Sequence, residues 1–132
     1  EISINQISST STLIQELTLS ENIDYYTSET SLTSDEKLNI VFKYLPKDYL
    51  NEKIKSFSSG MLRRAELSII EIKSPLVFCI DEPLNFLDSE GVLLLVDLIK
   101  NRSITNKCNI LSSQEFVDLG GLEFEVINLD EY

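Results

Sequence analysis

The pattern of hydrophobic and polar residues predicts a short strand and two short helices in the first third of the chain. Isoleucines at positions 2, 4 and 7 form a short alternating stretch that suits the end of a strand. Thr18 and Glu21 match a capping box, and Thr33 and Glu36 match a second one. We therefore expect a helix to begin at each of these two pairs.

Helices and strands alternate in the second half of the chain. Apolar residues recur every three or four positions from 58 to 73, which predicts a helix. The continuous apolar run Leu76–Ile80 suits a strand that is buried on both faces. Asp88 is a good N-cap for the next helix, and Cys108–Leu111 predicts another short buried strand. Leu122–Val126 alternates apolar residues with glutamates, which predicts a last strand.

This order of elements predicts an α/β fold. Residues 1–56 are expected to form mainly a helical subdomain. Residues 57–132 are expected to form part of a mainly parallel sheet with flanking helices. A length of 132 residues suits one continuous domain better than two.

The chain is strongly acidic, with a formal net charge of −11. A surface of this sign repels the phosphates of nucleic acids and of anionic lipids. The composition therefore predicts that nucleic acid is not a partner.

The two cysteines, Cys79 and Cys108, lie in apolar runs without the spacing of a metal site, and the chain has no histidine. A zinc site is not expected. Both residues are interpreted as reduced thiols in the core.

Two adjacent carboxylates, Asp81 and Glu82, directly follow the predicted strand Leu76–Ile80. Ligands of open parallel sheets bind at the carboxyl ends of the strands. There, the first carboxylate could hold Mg²⁺ and the second could orient or deprotonate an attacking water. An ordinary strand end with acidic turn residues is the alternative.

A second candidate site precedes this strand, where Ser58, Ser59 and Gly60 open the predicted helix. The free backbone N–H groups of such a turn can bind an anion. A plain serine N-cap is the alternative.

In this order and spacing, these motifs resemble those of the ATP-binding-cassette (ABC) ATPases over nearly the whole chain. Ser58–Met61 is similar to the family's signature motif, with Met61 where glutamine is usual. The resemblance implies that Ser58 and the N–H of Gly60 touch the γ-phosphate of an ATP bound on the opposite subunit. It also implies that Asp81 is the Walker B aspartate and Glu82 the catalytic glutamate.

Two loops extend the resemblance. Pro83–Asp88 is similar to the D-loop, with Asp88 in its aspartate position. Gln6 is the candidate for the glutamine of the Q-loop.

The phosphate-binding loop of the family is absent from this sequence. A Walker A loop needs the pattern Gly-x-x-x-x-Gly-Lys-Ser/Thr, because glycine backbones wrap the phosphates and a lysine neutralises them. The chain has four glycines, and none of them precedes a lysine. We expect this loop upstream of Glu1, on a missing N-terminal half, or on a second ABC subunit.

Two further positions depart from the family pattern. Gln114 falls where the switch histidine would be, and Ser59 replaces a glycine of the signature. Both departures suit a degenerate site.

The resemblance implies ATP and Mg²⁺ as cofactors and a transmembrane permease subunit as a partner. The chain would belong to the ATP-binding subunit of an exporter. It would lie peripherally on the cytoplasmic face of a membrane, or on the matrix or stroma side in an organelle. Two alternatives stay open: a non-transport ABC protein, and a catalytically dead structural or regulatory ABC-like subunit.

Overall fold

The computed structural model describes residues 4–131. Ile2, which was counted in the predicted first strand, lies outside the described residues. In chain order the elements are β1 Ile4–Ile7, α1 Leu19–Tyr26, α2 Ser34–Tyr44, α3 Ser59–Lys73, β2 Val77–Asp81, α4 Ser89–Ile104 and β3 Cys108–Ser112. Three short 3₁₀ turns occupy Lys47–Tyr49, Ile54–Ser56 and Leu129–Glu131.

The predicted capping boxes start α1 and α2. The Thr18 hydroxyl accepts a hydrogen bond from the N–H of Glu21 at 3.1 Å, and the Glu21 carboxylate accepts one from the N–H of Thr18 at 3.0 Å. Thr33 and Glu36 make the same pair of bonds at 3.2 and 2.7 Å. Each box satisfies two N–H groups that a helix start would otherwise leave unpaired.

The three strands form one parallel sheet in the order β1-β2-β3. Cys79, in the middle of β2, pairs with Gln6 on one side and with Ile110 on the other. All three strands therefore point their carboxyl ends toward the same edge of the sheet, which is where parallel sheets place ligands.

Only one face of the sheet is covered within the described residues. Phe78 and Ile80 point into a core with α3 and α4, where Leu67 and Leu95 are also fully buried. On the opposite face, Val77 and Cys79 are only half-buried, and Ile110 keeps 50% of its surface exposed. The prediction that Leu76–Ile80 is buried on both faces is therefore wrong for this chain.

The same uncovered face corrects the interpretation of the cysteines. Cys108 pairs with Val77 in the sheet and is exposed, whereas Cys79 is half-buried, and both are free thiols. Cys108 is therefore not a core residue of this chain.

A second core lies between α1, α2 and α3. Leu19, Ile23 and Val41 are buried there against Ala65 and Ile69 of α3. The opposite side of α3 contributes to the core beneath the sheet. This helix therefore joins the helical part of the chain to the sheet.

The predicted last strand is not formed. Residues 122–128 have no regular structure, and Val126 and Ile127 are 71% and 66% exposed. A strand needs a hydrogen-bonded neighbour, and within the described residues none pairs with this segment. Within the same residues, no helix combines the length and the apolar character that crossing a membrane requires.

The uncovered sheet face should bind a hydrophobic dye. Replacing Ile110 by Thr removes apolar surface from this face, so we expect dye fluorescence to fall and the free energy of unfolding to change little. Ile104→Thr is the control, because Ile104 is 79% exposed on α4. Equal fluorescence losses in the two variants would contradict the assignment of the binding surface.

Candidate functional site

The two predicted carboxylates lie at the carboxyl end of the central strand. Asp81 is the last residue of β2 and is exposed. The Ser112 hydroxyl at the end of β3 donates a hydrogen bond to its Oδ1 at 2.7 Å. This bond fixes the orientation of one carboxylate oxygen.

Glu82 follows with an unusual backbone. Its φ is +48°, in the left-handed region, which costs roughly 1–3 kcal/mol for a residue other than glycine. Its N–H donates to the Ser112 carbonyl at 2.7 Å, and its carbonyl accepts from the N–H of Asn85 at 3.0 Å. These bonds hold the turn that follows β2, in which Glu82 is half-buried.

The structure brings Gln114 next to this carboxylate, through its backbone. The N–H of Gln114 donates to Glu82 Oε1 at 2.9 Å, and the Ser113 hydroxyl donates to Oε2 at 3.1 Å. Both oxygens of Glu82 therefore have a donor from the segment after β3. The part played by the Gln114 side chain stays a prediction.

The predicted anion-binding turn forms the start of α3. Ser58 is the N-cap, and its hydroxyl accepts from the N–H of Met61 at 3.2 Å. Ser58 and Ser59 are exposed and Gly60 is half-buried. A helix N-terminus of this kind favours a negatively charged ligand.

Gly60 brings this helix start close to the loop after β2. A Cβ atom at Gly60 would lie 2.9 Å from the backbone carbonyl oxygen of Phe86. Phe86 itself has a φ of +67°. The close approach explains why a glycine occupies this position of the signature-like motif.

Asp88 provides a second link between α3 and this loop. Its Oδ1 accepts from the N–H of Gly91 and from Nη2 of Arg64, each at 2.8 Å. These two donors, the Gly91 N–H first, lower the pKa of Asp88. Sequence reasoning identified Asp88 as a helix cap and a loop residue, but it missed Arg64, which no local pattern connects with Asp88.

Arg63 was also missed. It is only 2% exposed, and its guanidinium carbon lies 5.8 Å from the centre of the Phe86 ring. Its charge interacts with Glu66 and Asp81. Within the described residues, its Nε and Nη1 atoms have no hydrogen-bond partner.

Gln6 lies inside β1, one residue before the end of that strand, and is exposed. It lines a cavity of about 110 Å³ together with Glu66 and Lys73. Within the described part of the chain, no hydrogen bond joins Gln6 to Asp81 or Glu82. Its assignment to the Q-loop stays a prediction.

Asp81 is the best-placed residue for a metal ion. Residues 4–131 contain no cluster of three or more side chains that could hold a metal by themselves. Mg²⁺, however, is commonly bound through one or two carboxylates plus the phosphates of a substrate. An exposed, oriented carboxylate fits that type of site.

The fold of this chain is similar to that of ATP-binding domains of ABC transporters. A structure called the ATP-binding subunit of an ABC transporter matches 83% of this chain with a TM-score of 0.74 and 22% identity. The ATP-binding cassette MJ0796, in a dimeric post-hydrolysis state bound to ADP and Pi, matches 86% at a TM-score of 0.71 and 20% identity. A putative ABC transporter ATP-binding protein from Pyrococcus furiosus matches 86% of this chain, with a TM-score of 0.71 and 16% sequence identity.

Sequence comparison gives a shorter match. The chain is 29% identical over 76 residues, or 58% of its length, to the cytochrome c biogenesis ATP-binding export protein CcmA of Albidiferax ferrireducens. No family model matches the chain. It spans 36% of CcmA and between 48% and 57% of the three solved proteins. These matches confirm the resemblance to ABC ATPases and the predicted α/β fold.

Gly60→Ala should destabilise the fold, because the added methyl group meets the Phe86 carbonyl. We expect the free energy of unfolding to fall by about 1–3 kcal/mol in denaturant titrations. Ser59→Ala is the matched control, since this exposed neighbour should change stability by less than about 0.5 kcal/mol. A fully stable Gly60→Ala variant would show that the close approach is not present.

Glu66 should make stability depend on pH. Burial raises the pKa of Glu66 from its ordinary value of 4.5 to about 7, although Arg63 partly opposes the rise. The folded chain therefore holds this proton more tightly than the unfolded chain, so the contribution of Glu66 to stability falls as pH rises from 4.5 to 7.

Glu66→Gln removes this dependence. At about pH 4 the variant and the native chain are compared first. As the pH rises to about 8, the free energy of unfolding of the variant should increase relative to that of the native chain by about 1–3 kcal/mol. Glu29→Gln, at an exposed position, is the control and should track the native chain. A constant difference between Glu66→Gln and the native chain at all pH values would contradict the assignment.

Proposed function

We propose that this chain is part of the ATP-binding subunit of an ABC exporter. It supplies the signature motif, the Walker B aspartate and the catalytic glutamate to a nucleotide site. A phosphate loop outside this sequence completes that site. The similarity to CcmA, an ATP-binding export protein, supports the exporter type.

The observation that carries this proposal is the position of Asp81 and Glu82. They lie at the carboxyl edge of a parallel sheet, and Ser112, Ser113 and Gln114 from the neighbouring strand end hydrogen-bond to them. Two adjacent carboxylates held in this way suit the binding of a metal–phosphate and the activation of a water.

Each carboxylate has a distinct part. Asp81 would hold the Mg²⁺ that accompanies ATP, and this ion would neutralise charge on the phosphates. Glu82 would accept a hydrogen bond from the attacking water and then its proton. Ser113 and Gln114 each donate a hydrogen bond to the Glu82 carboxylate. One of these two bonds would have to break so that the water can bond to that oxygen.

The start of α3 would serve a different nucleotide. Ser58 and Ser59 are exposed at a helix N-terminus. This position suits contact of Ser58 and of the N–H groups of Ser59 and Gly60 with the γ-phosphate of an ATP held by an opposing subunit. Gly60 and Arg64 of α3 both contact the segment that follows Glu82, at Phe86 and Asp88. A shift at one site could therefore be transmitted to the other.

The partners follow from this division. A Walker A half would cover the sheet face that carries Val77, Cys79 and Ile110. A second ABC subunit would face the start of α3, and a transmembrane permease subunit would hold the assembly at the cytoplasmic face of a membrane.

A catalytically inactive subunit is the second candidate. It is favoured by Gln114, because glutamine cannot carry a positive charge or relay a proton. It is also favoured by the two hydrogen bonds that occupy the Glu82 carboxylate.

The proposal predicts that the chain alone does not hydrolyse ATP. Without phosphate-loop amides and a lysine, the triphosphate has no primary site. Turnover should appear only when the chain is combined with a polypeptide or an ABC subunit that carries a phosphate loop. Glu82→Gln should abolish that turnover, whereas Glu90→Gln, an exposed control on α4, should not. Magnesium-dependent turnover by the chain alone would contradict the proposal.

Replacing Gln114 by His should raise turnover in the completed assembly. One positioned, charge-capable group that acts mainly in the transition state is worth on the order of 10²–10³ in rate. Nucleotide affinity should change little, because the phosphate loop supplies most of the binding. Measurements of turnover and of ATP affinity separate the two effects. An unchanged turnover rate would mean that Gln114 is not at the switch position, or that Ser59 is what makes the site slow.

A further inference from the structure

A cavity of about 230 Å³ lies where α2 meets the C-terminal ends of α3 and α4. It is separate from the candidate nucleotide site, because α3 has 15 residues and is therefore about 22 Å long. Its polar lining includes Lys43, Glu71, Ser74, Arg102, Thr105 and Lys107.

The charged lining is unbalanced. Lys43, Arg102 and Lys107 are cationic, and Glu71 is the only carboxylate among the side chains that line the cavity. Glu71 is already engaged, since it pairs with Lys43 and accepts a hydrogen bond from the Tyr44 hydroxyl at 2.8 Å. Two positive charges are therefore left without a carboxylate, in a chain whose net charge is −11.

Arg102 is the more buried of these two cations, with 4% of its surface exposed. Its Nε donates to Asn109 Oδ1 at 2.7 Å and its Nη2 donates to the Cys108 carbonyl at 3.1 Å, so both partners are neutral. Within residues 4–131, its Nη1 has no hydrogen-bond partner. Buried charges are normally paired with an opposite charge. Within the described residues Arg102 forms no ion pair, and its guanidinium carbon lies 5.5 Å from the centre of the Phe78 ring.

Lys107 is the second cation. Its Nζ donates to the Ser74 hydroxyl, which is also neutral, and in the described part of the chain it forms no ion pair. The helix dipoles of α3 and α4 end close by and offset part of the positive charge, but each is equivalent to only about half a charge. Together the two helix ends offset about one of the two positive charges, so a bound anion would complete the compensation.

We propose that this cavity binds a small tetrahedral oxyanion of the phosphate class. Lys107 and Arg102 provide the charge, and Ser74 and Thr105 provide hydroxyl groups at its wall. The volume is several times that of one water molecule, about 30 Å³, so it has room for a phosphate group and its remaining waters.

The test is an NMR titration of the purified chain with inorganic phosphate at constant ionic strength. We expect saturable shifts of the amides of Ser74, Thr105 and Lys107, with a dissociation constant of about 1 mM or tighter. Lys107→Gln should weaken binding by about tenfold, because it removes a charge-assisted hydrogen bond. Lys100→Gln is the matched control, since it removes the same charge from an exposed position on α4.

Each other outcome overturns the proposal. Shifts that do not saturate, or equal weakening by the two lysine variants, would indicate general charge attraction without a site. Shifts confined to the amides of Ser59, Gly60 and Met61 would place the phosphate at the start of α3 instead. The test does not use ATP turnover, so its result is independent of the proposed ATPase function.

Discussion

The fold depends on a strand that is paired along both edges but packed on only one face. β2 hydrogen-bonds to β1 and β3, and Phe78 and Ile80 anchor it in the core with α3 and α4. That anchoring fixes where the strand ends, and Asp81 and Glu82 follow at that end. The opposite face, with Val77 and Ile110, is apolar but uncovered by residues 4–131. An apolar face of this kind is typical of a surface that another segment covers.

The second constraint is the contact between the start of α3 and the loop after β2. Gly60 packs against the Phe86 carbonyl, and Arg64 bonds to Asp88. The signature-like helix start and the carboxylate-bearing loop therefore belong to one packed unit. The loop that follows Glu82 is therefore the physical link between the first part of α3 and the Glu82 turn.

The sequence predicts the features that local interactions decide. The capping boxes at Thr18 and Thr33, the N-cap Asp88 and the strand before Asp81 are all formed, because each depends on residues within a few positions. The last strand at 122–126 and the burial of Cys108 were predicted wrongly, because both depend on a partner surface that a periodic pattern does not reveal. Arg63 and Arg64 were missed for the same reason: their partners lie on another element.

The most direct test of the account is the reactivity of the two thiols on the uncovered sheet face. Cys79 and Cys108 should react with a small thiol reagent in the isolated chain, and Cys79→Ser and Cys108→Ser variants assign each rate. In a complex with a polypeptide that carries the phosphate loop, the account predicts that both rates fall by about tenfold or more, because that half would cover the face. Formation of a stable, ATP-hydrolysing complex with unchanged thiol rates would contradict it.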